Sequence, residues 1–224
     1  MTPDDVVVPA DIPSTNRLAW LVVLAGGAGA LDALVFTQLG QVFASVVTGN
    51  LVLLGIAAAE LGASEIRLPA LGLGGYLVGI LVAAAWCRRP DSTGRVRAGR
   101  VRVCLAAEAV LVAAIAIGWG IAGGELTGGW QSVLVPVAAV AMGMQSAALL
   151  AGGHGAPTTY LTSTLTGFVS DMVAVRSLDR SAAARLAALV AGAIGGIALH
   201  KVAPAWAFAL PAVLVAAGAG LAEG

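Results

Sequence analysis

Long apolar stretches separated by short polar loops dominate the sequence, and this pattern predicts helices that cross a membrane. Eight apolar segments can be delimited, at residues 18–39, 42–61, 68–87, 101–122, 130–151, 158–175, 186–201 and 206–221. Each approaches the roughly 20 residues that a membrane-spanning helix needs. Residues 1–17, which contain three prolines and three aspartates, form a polar tail before the first segment. We therefore predict one all-α, polytopic helical membrane domain.

Composition supports this interpretation. The chain has 224 residues, of which 59% are hydrophobic and 11% are charged, and its mean hydropathy is +0.94. Soluble domains carry about 25% charged residues, so too few are present here to cover a water-exposed surface. The formal net charge is zero. Without a basic excess, nucleic acid is not an expected partner.

Residues 29–50 carry polar side chains in otherwise apolar sequence. These side chains are Asp32, Gln38, Gln41, Ser45, Thr48 and Asn50. Lipid offers no hydrogen-bond partner to a polar side chain or to backbone freed from a helix, so such groups persist in a membrane only inside protein or beside a water-filled cavity. We interpret this stretch as the centre of a functional site.

A second polar stretch repeats the first one 114 positions later. The shift pairs Gly29 with Gly143, Asp32 with Ser146, Thr48 with Thr162 and Asn50 with Thr164. The pattern predicts two structural repeats, at residues 18–123 and 130–222. The first repeat contains a basic loop at residues 88–100.

Arginine clusters in two loops, and this distribution decides between two topologies. Loop 88–100 contains five arginines and loop 176–185 contains three. Basic loops tend to stay on the cytoplasmic side. If segments two and six are broken or re-entrant, both loops and both termini are cytoplasmic, about six segments cross, and the repeats are inverted. In the alternative, all eight segments cross, the repeats are parallel, and the two loops lie on opposite sides.

Several motifs resemble a known family. Residues 32–33 read Asp-Ala, residues 48–50 read Thr-Gly-Asn, residues 142–145 read Met-Gly-Met-Gln and residues 158–162 read Thr-Thr-Tyr-Leu-Thr. Together they are similar to the YoaK-like family of small bacterial membrane proteins, over most of the chain. Relatives tend to have Thr-Gly-Thr where this chain has Thr-Ser-Thr at residues 162–164. The resemblance implies a multi-pass protein of the bacterial inner membrane, without implying a reaction or a substrate.

Glycine in the motif at residues 48–50 permits a break in helix geometry. A broken membrane helix presents helix ends, whose partial charges bind small ions or polar solutes. We therefore predict a site near mid-membrane between the two motifs. The predicted substrate-binding residues are Asp32, Gln38, Ser45, Thr48, Gly49, Asn50, Gln145, Thr159, Thr162 and Thr164. The alternative is a buried hydrogen-bonded cluster that only stabilises a kinked helix.

Two carboxyl groups, Asp32 and Glu108, lie well inside predicted membrane segments. Apolar surroundings disfavour the charged form of a carboxyl group, so both are candidates for coupling proton movement to transport. The alternative is that each is a neutral carboxyl or is paired with a loop arginine, which for Glu108 is Arg102.

The sequence lacks the motifs of common enzyme classes. It has no Gly-x-Ser-x-Gly motif and no phosphate-binding Walker loop. Its two histidines and two cysteines are too scattered to predict a metal site. We therefore predict a protein that is not an enzyme and has no cofactor. Cys87 and Cys104 flank the basic loop, and we expect both to be reduced in the cytoplasm.

The predicted function is a transporter or channel for a small polar solute or ion. The alternative is a non-transporting membrane scaffold or regulator whose polar motifs stabilise the fold. The lipid bilayer and the solute are the expected partners. Small-residue pairs at Gly75 and Gly79 and at Gly192 and Gly196 indicate close helix packing, either within the chain or in a homo-oligomer.

Overall fold

The computed structural model describes residues 14–60, 63–87, 98–125, 128–153, 161–174 and 179–221. These residues form eight α-helices and two short 3-10 turns, and the described ranges contain no strand. The helices are α1 (Ser14–Gln38), α2 (Val47–Glu60), α3 (Ala63–Cys87), α4 (Ala98–Ile121), α5 (Gln131–Ala151), α6 (Leu161–Ala174), α7 (Arg180–Val202) and α8 (Ala209–Leu221). The all-α prediction is confirmed, while most of the predicted tail lies outside the described residues.

Six helices are long and apolar enough to cross a membrane, judged by length and composition: α1, α3, α4, α5, α7, and α8 with the turn before it. Helices α2 and α6 have 14 residues each. At 1.5 Å per residue each is about 21 Å long, which is shorter than the roughly 30 Å hydrocarbon core of a bilayer. This arrangement agrees with the prediction of six crossings and two re-entrant segments.

Helix α2 begins at mid-depth in the bundle. After α1 the chain turns at Gly40, which lies against Leu68 near the start of α3. The side-chain amide of Asn50 then lies beside Gly72, one turn further along α3. The first residues of α2 border a cavity with Tyr76, at the middle of α3. Helix α2 therefore runs from mid-depth back to the end of the bundle where α3 begins.

Helix α6 also begins at mid-depth, and it leads to the other end. Leu161 borders the same cavity as Tyr76 and Ile80 of α3. The last residue of α6, Ala174, precedes the N-cap of α7, Asp179, by only five residues. Helix α7 runs parallel to α1, because Gly192 contacts Gly26 and Gly196 contacts Ala30, so it begins at the end of the bundle where α1 begins and α3 ends. Helices α6 and α2 therefore run towards opposite ends.

One buried cluster contains residues near the ends of five helices, including the two helices that flank the arginine-rich loop 88–100. It contains Trp20 of α1, Cys87 of α3, Val101 of α4, Leu149 of α5 and Ala219 of α8. The side chain of Arg17 also donates a hydrogen bond to the carbonyl oxygen of Gly153, at 3.1 Å. Helix α7 begins at this end as well, because it packs parallel to α1. We call this end of the molecule the basic end.

Glycines bring two pairs of parallel helices into backbone contact. A Cβ atom on Gly79 of α3 would overlap the carbonyl oxygen of Val140 of α5, and one on Gly192 of α7 would overlap that of Gly26 of α1. Gly75 and Gly196 face the same partner helices. Small residues permit such close approach where no hydrophobic force drives association. Both predicted small-residue pairs therefore pack inside the molecule.

Candidate functional site

The carboxyl group of Asp32 holds the chain segment that enters the bundle before α2. Its Oδ1 accepts hydrogen bonds from the backbone N–H groups of Ala44, at 2.7 Å, and Ser45, at 2.8 Å. The hydroxyl of Ser45 donates to Oδ2. Asp32 is 7% exposed and Ser45 is 5% exposed. Because backbone outside a helix must find partners at this depth, the carboxyl group compensates for the missing helical hydrogen bonds.

Asn50 of α2 also forms hydrogen bonds with the segment that precedes α2. Its Oδ1 accepts from the backbone N–H of Phe43 at 2.9 Å, and its Nδ2 donates to the carbonyl oxygen of Phe43 at 2.7 Å. The ring of Phe43 stacks on Phe36 of α1, with centroids 4.8 Å apart. Asn50 is 1% exposed and is therefore a structural clamp.

The turn that leads into this segment requires unusual backbone angles. Gly40 has φ +116° and Gln41 has φ +60°, in the region that favours glycine. Gly49 is needed for a different reason: a Cβ atom there would lie 3.1 Å from the ring of Phe43. Gly49 lies within α2 and leaves space for the ring of Phe43, which precedes the helix, and it does not break α2. The prediction of a break at residues 48–50 is wrong, because the break precedes the motif.

A cavity of about 910 Å³ lies where α2 and α6 begin. Its polar lining comes from both halves of the chain: Asp32, Ser45, Thr48, Tyr76, Thr162, Ser163 and Thr166. Apolar residues of α1, α3 and α7 complete the wall, among them Ile80 and Leu189. The two motifs, more than a hundred residues apart in sequence, therefore border one space.

Four of the predicted site residues line this cavity, namely Asp32, Ser45, Thr48 and Thr162. Gly49, Asn50 and Thr164 are not part of the lining, and the last two are buried in the protein. Gln38 donates to its neighbour Thr37 at 3.0 Å, at an exposed position. Thr159 lies outside the described residues.

Gln145 lies elsewhere, in a second polar site between α4 and α5. Its Nε2 donates to Oε1 of Glu108 at 2.7 Å, and both side chains are fully buried. The other carboxyl oxygen of Glu108 has no hydrogen-bond partner among the described residues. Arg102, the arginine considered as a partner for Glu108, is exposed, whereas Glu108 is fully buried. Glu108 is therefore held by an amide, and Gln145 is not a cavity residue.

Tyr76 is a cavity residue that the sequence interpretation missed. Its hydroxyl donates to Oγ of Ser146 at 2.9 Å, and that hydroxyl donates in turn to the carbonyl oxygen of Met142 at 2.8 Å. Ser146 corresponds to Asp32 under the shift of 114, so both halves of the chain have a polar side chain at this position of the repeat. A tyrosine among the glycines of an apolar segment was the signal, because its hydroxyl needs a partner at this depth.

Within the described ranges, no group of three or more His, Cys, Asp or Glu side chains is arranged to hold a metal ion. The cavity lining contains one carboxyl group and several hydroxyl groups, and its described part includes no lysine, arginine or histidine. Such a set can hydrogen-bond a solute from several sides.

Comparison with known proteins identifies the family. No curated protein and no solved structure matches the chain. A family model described as a protein of unknown function (DUF1275) matches residues 20–221. This match covers nearly the whole chain and is consistent with the resemblance noted above. The chain therefore belongs to the DUF1275 family.

Proposed function

We propose that this multi-pass membrane protein is a transporter or channel for a small polar solute or ion, which binds in the cavity between α2 and α6. The observation that carries the proposal is the meeting of two half-length helices. Both begin at this cavity, and they run to opposite ends of the bundle. A site at mid-depth where two half-length helices begin is typical of transporters that work by alternating access.

We infer that the two halves are inverted repeats. Each half contains one short helix and three candidate membrane spans in the same order, when α8 is taken with the turn before it. The shift of 114 relates Gly26 to Val140, and the two glycines that contact them, Gly192 and Gly79, correspond to within one position under the same shift. Three crossings per half, an odd number, would reverse the orientation of the second half. A two-fold axis in the membrane plane would then pass close to the cavity.

The electrostatics of the cavity favour a small polar or charged solute. The first turn of a helix carries a partial positive charge. The starts of α2 and α6 bring two such ends to the cavity, and Asp32 brings a carboxyl group. These contributions oppose each other in sign. A compact solute with hydrogen-bonding groups would therefore suit the site better than an apolar one.

A second function, a scaffold or regulator, is favoured by one observation. The side chains of Asp32 and Asn50 form hydrogen bonds with backbone groups of residues 43–45, so part of the polar motif stabilises the fold. In either case we expect a protein of the bacterial cytoplasmic membrane, without enzyme activity or cofactor. Association with a second copy of the chain stays a prediction.

Paired substitutions separate the two functions. Thr48→Val and Thr162→Val remove hydroxyl groups from the cavity at nearly constant volume, and we expect flux in liposomes to fall at least tenfold while thermal stability changes little. The solute is first identified by a thermal-shift screen of small polar compounds on the purified protein. Asn50→Ala is the matched control, because it removes the clamp on Phe43 and should lower stability by about 2–4 kcal/mol. If no solute stabilises the protein and the threonine variants behave like the wild type, the scaffold function replaces transport.

A further inference from the structure

The two cysteines of the chain touch each other at the basic end. The Sγ atoms of Cys87 and Cys104 are 3.1 Å apart, and neither forms a disulfide bond. Cys87 is the last residue of α3, and Cys104 lies in the second turn of α4. Their side chains are 0% and 3% exposed. Two helix ends thus bring the two thiols of the chain into direct contact.

We propose that Cys87 and Cys104 are a redox-modifiable pair that closes an intramolecular disulfide bond by exchange with a small oxidised disulfide such as oxidised glutathione. A disulfide bond is about 2.05 Å long, so the two sulfur atoms need to approach by only about 1 Å. Cys87 has one further polar contact, to the carbonyl oxygen of Arg100 at 3.7 Å. Neither sulfur is held away from the other.

The chemistry balances in two exchange steps. The thiolate of one cysteine attacks a sulfur of the small disulfide, which releases one small thiol and leaves a mixed disulfide on the protein. The second cysteine thiolate attacks the protein sulfur of that mixed disulfide and releases the second small thiol. The protein loses two protons and two electrons, and the small disulfide is reduced to two thiols.

The disulfide bond would join α3 directly to α4. Helices α3 and α4 both pack on α5, and their direct contact is slight. Helix α3 also lines the cavity through Tyr76 and Ile80. The disulfide would therefore fasten the end of a cavity-lining helix to α4. In a reducing cytoplasm the pair rests as two thiols, and it closes when the glutathione pool becomes oxidised.

Trypsin provides a direct test on the full-length protein. Arg88, Arg95, Arg97 and Arg100 all lie between the two cysteines in sequence. Purified protein is incubated with oxidised or with reduced glutathione, its remaining thiols are blocked with N-ethylmaleimide, and it is cut with trypsin under native conditions. After oxidation, we expect at least half of the protein that is cut between the two cysteines to run without reductant as one linked species that contains both of them. The same species should separate into two fragments with dithiothreitol.

Cys87→Ser and Cys104→Ser are matched controls, and neither should show linked fragments. The wild-type comparison between oxidised and reduced samples stands even if a variant fails to fold. Fragments that separate without reductant after oxidation would overturn the proposal. So would a species of twice the monomer mass, or glutathione that remains attached to both cysteines. A bond already present in protein alkylated at cell lysis would support the pair and contradict a cytoplasmic location of the loop.

Discussion

At the scale of single residues, Asp32 is an intramembrane carboxyl group whose main partners are backbone amides. Three donors from Ala44 and Ser45 converge on its two oxygens. These amide groups have left helix geometry and would otherwise be unpaired in an apolar environment, which costs free energy. The carboxyl group therefore shapes the cavity as well as lining it.

Substitution at Asp32 measures this structural role. Asp32→Leu leaves the two backbone N–H groups without an acceptor, and we expect it to lower the free energy of unfolding by about 2–5 kcal/mol. Asp32→Asn keeps one acceptor oxygen and should cost about 1–2 kcal/mol. Gln38→Ala is the control and should stay within about 0.5 kcal/mol of the wild type. Thermal unfolding in detergent, followed by tryptophan fluorescence, measures all three. Equal stability of Asp32→Leu and Gln38→Ala would contradict the role of the carboxyl group.

The difference between Thr48 and Asn50 also belongs to the residue scale. They are two positions apart in α2, and helical residues two positions apart do not share a face. Thr48 accordingly borders the cavity, while Asn50 points to Phe43. The same argument separates Thr162 from Thr164 in α6. The prediction that Asn50 and Thr164 bind a solute together with Thr48 and Thr162 did not take this helix periodicity into account.

At the scale of helices, glycine contacts set the depth and direction of the cavity walls. Helices α3 and α5 meet at Gly79 and Gly143, and α1 and α7 meet at Gly29 and Gly192. Each glycine faces a backbone oxygen of the partner helix at a distance that a methyl group cannot enter. Because backbone cannot yield as a flexible side chain does, even alanine must push the helices apart.

Alanine substitution tests these contacts with a neighbouring control. We expect Gly79→Ala and Gly192→Ala each to lower stability by about 1–3 kcal/mol, because the added methyl group meets a carbonyl oxygen. Gly74→Ala lies in the same helix as Gly79, in open space, and should be neutral or stabilising by up to about 1 kcal/mol. Urea unfolding in detergent provides the comparison. Similar losses at Gly74 and Gly79 would mean that helix packing is not the cause.

At the scale of the whole molecule, the helix ends separate into two groups that match the charge of the loops. The starts of α4 and α7, which adjoin the two arginine-rich loops in sequence, lie at the basic end together with the start of α1. The end of α4, which leads to Glu125, lies at the other end, where Trp119 donates a hydrogen bond to the carbonyl oxygen of Pro204 after α7. This segregation is what the positive-inside rule requires of a protein with six crossings.

Site-directed labelling tests this topology in vesicles of known orientation. Single thiols are introduced as Ser92→Cys, Ser177→Cys and Glu125→Cys after both native cysteines are replaced by alanine. We expect an impermeant maleimide to label the first two positions only from the cytoplasmic side and the third only from outside, because arginines hold their loops inside. Opposite sidedness of positions 92 and 177 would instead require eight crossings.

Properties that depend on local composition and on segment length could be predicted from the amino-acid sequence. Apolar runs of about 20 residues can only be buried in lipid as helices, so the class and the six long helices were predictable. The internal similarity at a shift of 114 indicated which two stretches would border a common cavity. Asp32, Ser45, Thr48 and Thr162 were found in this way.

Only the tertiary structure decided which polar groups face each other. The chain break lies at residues 39–46 because Asp32 and Asn50, from two different helices, supply hydrogen bonds there. Gln145 pairs with Glu108 of α4, a contact that its own neighbours in sequence do not specify. Tyr76 joins the site through the packing of α3 on α5. Composition and periodicity describe one segment at a time, whereas a polar side chain in a membrane takes its role from the partner that a different helix brings to it.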